Sequence, residues 1–165
     1  MQESLPPFSR DLALLEIERD LDISVNEVFE NISEPIAAAS IAQVHKAVLK
    51  SSGQTVAIKV LRPDIERAFR KDIDAFYLAA NINELLSPKS RRLRPLEVIE
   101  HFDSVVQGEL DLRLEASAAS EFSANTKGDE LLFIPNIHWE TSGRRVMTLD
   151  WVDGIPLADL DALKN

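Results

Sequence analysis

Apolar residues along this chain recur first at helical spacing, then at alternate positions, then again at helical spacing, and these three textures divide it. Ser9 is a plausible N-cap for a leading helix with Leu12, Leu15 and Leu21 on one side, within residues 1–31. From Ile32 the texture becomes β-like. "AQVHKAVL" and "TVAIKVLR" flank the turn "KSSGQ" (Lys50 to Gln54), which predicts an antiparallel hairpin within residues 32–62. Pro63 then opens a helical stretch carrying Ile65, Phe69, Ile73, Phe76 and Leu85, and the linker "SPKSRRLRP" ends it. A second long helix is predicted from about Leu96 to Asn125, striped by Ile99, Phe102, Val106, Leu110 and Leu114, so that residues 63–126 form a helix pair. After Gly128, "FIPNIHWET" and "RRVMTLDWV" read as two strands joined at Ser142–Gly143, and "PLADLDALKN" closes the segment 127–165. The expected class is α+β, in one domain, with an antiparallel sheet and a long helical insertion.

Composition narrows the chemistry. The 165 residues are 45% hydrophobic, enough for a core, and carry a net charge of −10, which disfavours a broad grip on nucleic acid. There is no cysteine, hence no disulfide framework or thiolate metal site, and His45, His101 and His138 lack ligand spacing. No metal site is expected in this chain. No apolar run approaches bilayer-spanning length, and the N-terminus "MQESLPPFSRDL" lacks a basic start and an apolar stretch, so no membrane anchor is expected here.

Two short stretches carry candidate chemistry. In "TVAIKVL", Val56, Ile58 and Val60 face one way while Ala57, Lys59 and Leu61 face the other. A lysine on an apolar strand seeks an anionic partner, and the small Ala57 leaves room beside it for a flat ligand. "VAIK" is the form of the phosphate-binding lysine strand of protein kinases, although four letters alone also fit a solvated lysine. Upstream, where a kinase has glycines, stand Ala37, Ala38, Ala39 and Ser40. Each Cβ penalises positive φ, so alanine suggests a stiffer lid over a phosphate, unless these residues simply pack under the sheet. "ELDLRLEA" supplies Glu109, Asp111 and Glu115. On a continuous helix Asp111 and Glu115 lie about 40° apart and Glu109 about 200° from Asp111, so the three are not expected to cluster. Either Glu115 or Asp111 can then reach the strand lysine.

Together, "PIAAASIAQVHKAVL", "TVAIKVLRPDIERAF", "GELDLRLEASAASEF" and "IPNIHWETSGRRVMTLDWVDGIPLADL" resemble the UbiB-type atypical kinases, the aarF-domain family linked to ubiquinone biosynthesis. The resemblance runs over roughly residues 20 to 160. It implies a protein-kinase-like N-terminal lobe in which the alanine-rich loop shifts behaviour from protein phosphorylation toward ATPase-like activity. Ala37, Ala38, Ala39 and Ser40 become the nucleotide loop, with Ala57 beside the ligand; Lys59 becomes the phosphate-binding lysine and Glu115 its partner. Glu109 and Asp111 match the family's E-x-D motif. "MTLDWVDG", Met147 to Gly154, resembles the hinge strand, with Asp150 and Val152 at the adenine edge.

The family's upstream K-x-G-Q motif is absent, and the sequence ends at Asn165 without the H-x-D catalytic loop or the D-F-G metal site of a C-terminal lobe. The expectation is an N-lobe fragment that is inactive alone. The whole protein is expected to use ATP or ADP with Mg2+, its metal ligands lying in the missing lobe. Implied partners are a polyprenyl lipid intermediate and quinone-biosynthesis enzymes. The implied location is the cytoplasm, at the inner face of a membrane in a bacterium, or a mitochondrion in a eukaryote. The alternative is a non-catalytic, nucleotide-switched scaffold for lipid-biosynthesis enzymes.

Overall fold

A computed structural model describes residues 6–86 and 90–155; the closing segment "PLADLDALKN" lies outside these. The leading helix α1 spans Arg10–Leu21, and Ser9 caps it by accepting from the Leu12 amide at 3.4 Å. Its buried side differs from the expected leucine stripe. Leu12 and Leu15 are 45% and 54% exposed, whereas Ala13, Glu16 and Ile17 are buried. Polar anchoring turns the helix this way: Glu16 pairs with Arg145 at 2.9 Å, and Asp20 accepts from the Arg145 and Val146 amides at 2.8 and 3.0 Å. Gly143 lies so close that a Cβ there would fall 2.4 Å from the Asp20 Oδ2.

A short helical turn, α2 (Val25–Val28), leads into β1 (Phe29–Glu30), followed by β2 (Ala37–Ala38), β3 (Ala42–Leu49) and β4 (Thr55–Leu61). The hairpin β3–β4 forms as its alternation predicts, and Gly53 supplies the positive φ of +69° that its turn needs. With β5 (Val146–Asp150) the sheet order is β1-β3-β4-β5, all antiparallel, and β2 also pairs with β3. "FIPNIHWET" forms no strand: Ile137 alone bridges to Leu149, and Trp139–Thr141 is a 3-10 turn. Pro135 lacks the amide a ladder requires, and the His138 carbonyl accepts from the Thr141 amide and the Ser142 hydroxyl, which curls the chain.

Two cores flank the sheet. Val56, Ile58 and Val60 pack with Ile17, Phe29 and Val146 on the α1 side. Leu61 packs on the other side with Ile73, Val106, Leu110, Leu112 and Ala116. Those last residues come from α3 (Ile65–Leu86), α4 (Pro95–Glu109) and α5 (Leu112–Asn125). The expected single helix over 96–125 is therefore two. Leu110 and Leu112 are both buried, yet residues two apart on one helix point about 200° away from each other, so burying both requires a break. Asp111 caps the new helix by accepting from the Arg113 amide at 3.1 Å, and the Leu112 amide donates to the Arg144 carbonyl at 2.8 Å.

Candidate functional site

Strand register places the candidate residues on the helix-facing side of the sheet. Ala37, Val44, Lys59 and Met147 align across β2, β3, β4 and β5, and Lys46, Ala57 and Leu149 form the adjacent row. Lys59 Nζ lies 2.7 and 2.6 Å from the two Glu115 carboxylate oxygens. The pair is accessible, with side chains 25% and 50% exposed. Glu115 stands in the first turn of α5, where the helix N-terminus favours a carboxylate. Of the two acids that could have reached the lysine, Glu115 does so. Asp111 is bound instead by Arg113 at 2.9 and 2.6 Å, and that hydrogen bond holds its carboxyl below the usual value despite partial burial.

The helix break changes the acidic arrangement. Glu109, Asp111 and Glu115 line one shallow hollow of about 420 Å³ together with Val105, Gly108 and Leu114. A continuous helix would have sent Glu109 elsewhere. Even so, among the described residues no three His, Asp or Glu side chains converge closely enough to hold a metal ion.

The alanine loop is extended and accessible rather than packed under the sheet. Ala37 and Ala38 pair with Val44 and Gln43, while Ala37, Ala39 and Ser40 are exposed. None of residues 37–40 has a positive φ, so this conformation suits residues that bear a Cβ. Several bonds fix its base. Arg62 donates to the Ala39 carbonyl at 3.0 Å and to the Pro6 carbonyl at 3.0 Å, and the Ala39 amide donates to the Ala42 carbonyl at 2.8 Å. Gln43 clasps Phe8 through both backbone groups at 3.1 and 3.2 Å and also meets His45 Nε2 at 2.9 Å. His45 Nδ1 contacts the Ser33 carbonyl at 2.8 Å, so Nδ1 carries the proton and Nε2 accepts from the Gln43 amide. Burial pushes the imidazole pKa down, against the raising effect of the Ser33 bond, and keeps the ring neutral.

At the far end of β5, the Asp150 side chain is committed to protein partners: Gln54 at 2.5 Å, Asn136 at 2.7 Å and His138 at 2.8 Å. Burial alone would raise its carboxyl; the Asn136 and His138 bonds outweigh this and hold it below the usual value. Asp150 thus pins residues 136–138 to the hairpin turn, and Val152 beyond it is exposed. Sequence reasoning missed Lys46, whose Nζ lies 4.3 Å from the Trp151 ring centroid on the same face as Ala57 and Lys59. Counting outward from the hairpin turn would have put Lys46 opposite Ala57.

The ABC1 atypical kinase-like domain model matches residues 1–165. The probable protein kinase UbiB of Pseudomonas paraeruginosa is 39% identical over 166 residues, covering 100% of this chain and 31% of that protein. The namesakes from Marinobacter nauticus and Shewanella piezotolerans are 41% and 39% identical, over 100% and 99% of this chain and 30% of each relative. The chain thus spans about a third of the length of these curated relatives. The fold agrees with them: an antiparallel sheet backed by helices is a kinase-like N-terminal lobe, and the chain belongs to the ABC1 atypical kinase-like family.

Proposed function

We propose that this chain is the nucleotide-binding lobe of an atypical kinase or ATPase that supports ubiquinone biosynthesis. The observation that carries the reading is the Lys59–Glu115 ion pair, 2.6 Å long and open to solvent, on the sheet face that also bears Ala57. In this reading Glu115 orients Lys59 toward the α- and β-phosphates of ATP or ADP. Ala57 leaves room for the base, the exposed alanine loop covers the phosphates, and the backbone from Asp150 to Val152 holds the adenine edge. Glu109 and Asp111 border the route by which a substrate reaches the phosphates.

Magnesium would accompany the nucleotide. Its ligands are expected in a C-terminal lobe of the full-length protein. A polyprenyl lipid intermediate and quinone-biosynthesis enzymes, met at a membrane surface, are the proposed partners. No helix among the described residues is long and apolar enough to cross a membrane.

Calorimetric titration of Mg-ATP and Mg-ADP into the full-length protein tests the reading, with Lys59→Met as the comparison. Binding should weaken about tenfold or more in the variant, the usual loss for a charged hydrogen bond. Equal affinity in both would remove Lys59 from the site, and no binding in either would overturn the nucleotide-binding reading and leave the kinase likeness one of fold.

A further inference from the structure

We propose that Arg67, Arg70 and Arg144 form a second anion site, which takes the phosphate or pyrophosphate group of a ligand and is separate from the Lys59 face. The three converge from two parts of the chain. Arg67 and Arg70 stand one turn apart on α3, Arg144 stands two residues ahead of β5, and all three are exposed. They line a cavity of about 470 Å³ with Glu66, Gln107 and Arg145.

Charge accounting shows why an anion belongs there. Glu66, the one acid lining this cavity, is ion-paired with Arg145, which also holds Glu16 at 2.9 Å. Burial would raise the Glu66 carboxyl, but the Arg145 hydrogen bond outweighs it and keeps Glu66 ionised. Asp111, which Arg144 also influences, is already held by Arg113. Asp103 accepts from the Gln107 amide at 3.3 Å. The side chains of Arg67, Arg70 and Arg144 make no ion pair or hydrogen bond among the described residues. Three guanidinium groups with no ion-pair partner of their own therefore share one hollow, whose Glu66 is paired to Arg145, in a chain of net charge −10. Guanidinium forks match phosphate oxygens geometrically, and a doubly charged group relieves their mutual repulsion. The cavity lies where β5 begins, whereas Trp151 and Val152 lie beyond its other end.

The phosphate could come free in solution or on a lipid headgroup, and the test separates these sources. Full-length protein is titrated calorimetrically with inorganic pyrophosphate, and its co-flotation with phosphatidic acid vesicles is measured at the same ionic strength. The variants are Arg70→Ala/Arg144→Ala and, as control, the exposed Lys127→Ala outside both sites, and every titration is run in excess ADP so that the Lys59 face is filled. Exposed arginines leave the fold intact, which circular dichroism checks. The expected result is pyrophosphate binding weakened about tenfold or more in the double variant and unchanged in Lys127→Ala. Flotation lost in the double variant, without pyrophosphate binding, would assign the site to a lipid headgroup. Binding insensitive to the double substitution overturns the proposal, as does binding abolished by excess ADP. Absence of binding to both probes also overturns it, and is the result expected if an acidic segment elsewhere in the full-length protein covers the arginines.

Discussion

Strand β4 has two faces with opposite properties. Val56, Ile58 and Val60 are fully buried against the α1 side, while Lys59, between two of them in sequence, meets Glu115 with a quarter of its side chain in solvent. The first face is closed by apolar packing and by polar anchors from α1. The second face presents a charge. One seven-residue strand thus separates stability from chemistry by alternation alone, and neighbouring substitutions should have effects of different kinds.

The largest expected effect is on the closed face. Ile58→Ala removes a fully buried side chain from the centre of the sheet and should cost about 2–5 kcal/mol in urea denaturation. A loss below about 1 kcal/mol would mean that this core is loosely packed. An intermediate effect should appear with pH. His45 is buried and its folded pKa lies below the ordinary 6.5, so as pH falls the unfolded chain takes up this proton first. Its contribution is complete above about pH 6.5 and declines as pH falls toward the lowered folded value. The melting temperature should drop between pH 7 and pH 5 and flatten in His45→Gln; parallel curves would show that the drop arises elsewhere. The carboxyls of Asp150, Glu66 and Asp111 act in a separate window. Their folded values are lowered, so their stabilisation is present above their ordinary values of 3.8, 4.5 and 3.8 and is lost only in stronger acid. The smallest expected effect falls on the open face: Lys59→Met should change stability by less than about 1 kcal/mol, because the exposed pair contributes little to folding. A loss comparable to that of Ile58→Ala would erase the contrast between the faces.

The hairpin and its faces were legible because strand alternation and a glycine-bearing turn are local signals. Lys59 and Glu115 were legible as candidates because both residue types stand in motifs of a recognisable order. The break at Leu110–Asp111 was hidden by Leu114, which continues the helical stripe although it lies on a different helix and is exposed. Only the burial of both Leu110 and Leu112, a tertiary requirement, reveals it. "FIPNIHWET" misled because its apolar residues have strand-like spacing while the hydrogen bonds of His138 shape a turn. The arginine cavity left no local signal at all, since its members are joined only when α3 packs beside the start of β5.

One bond at that break links distant parts of the lobe. Leu112, the first residue of α5, hangs from the Arg144 carbonyl, two residues ahead of β5, while Asp150 and Trp151 stand at the other end of the same strand. β5 is therefore a beam with Asp150 and Trp151 at its tip and the anchor of the glutamate helix at its base. The start of α5, and with it Glu115, is thus tied by a single backbone bond to the strand that ends at Asp150.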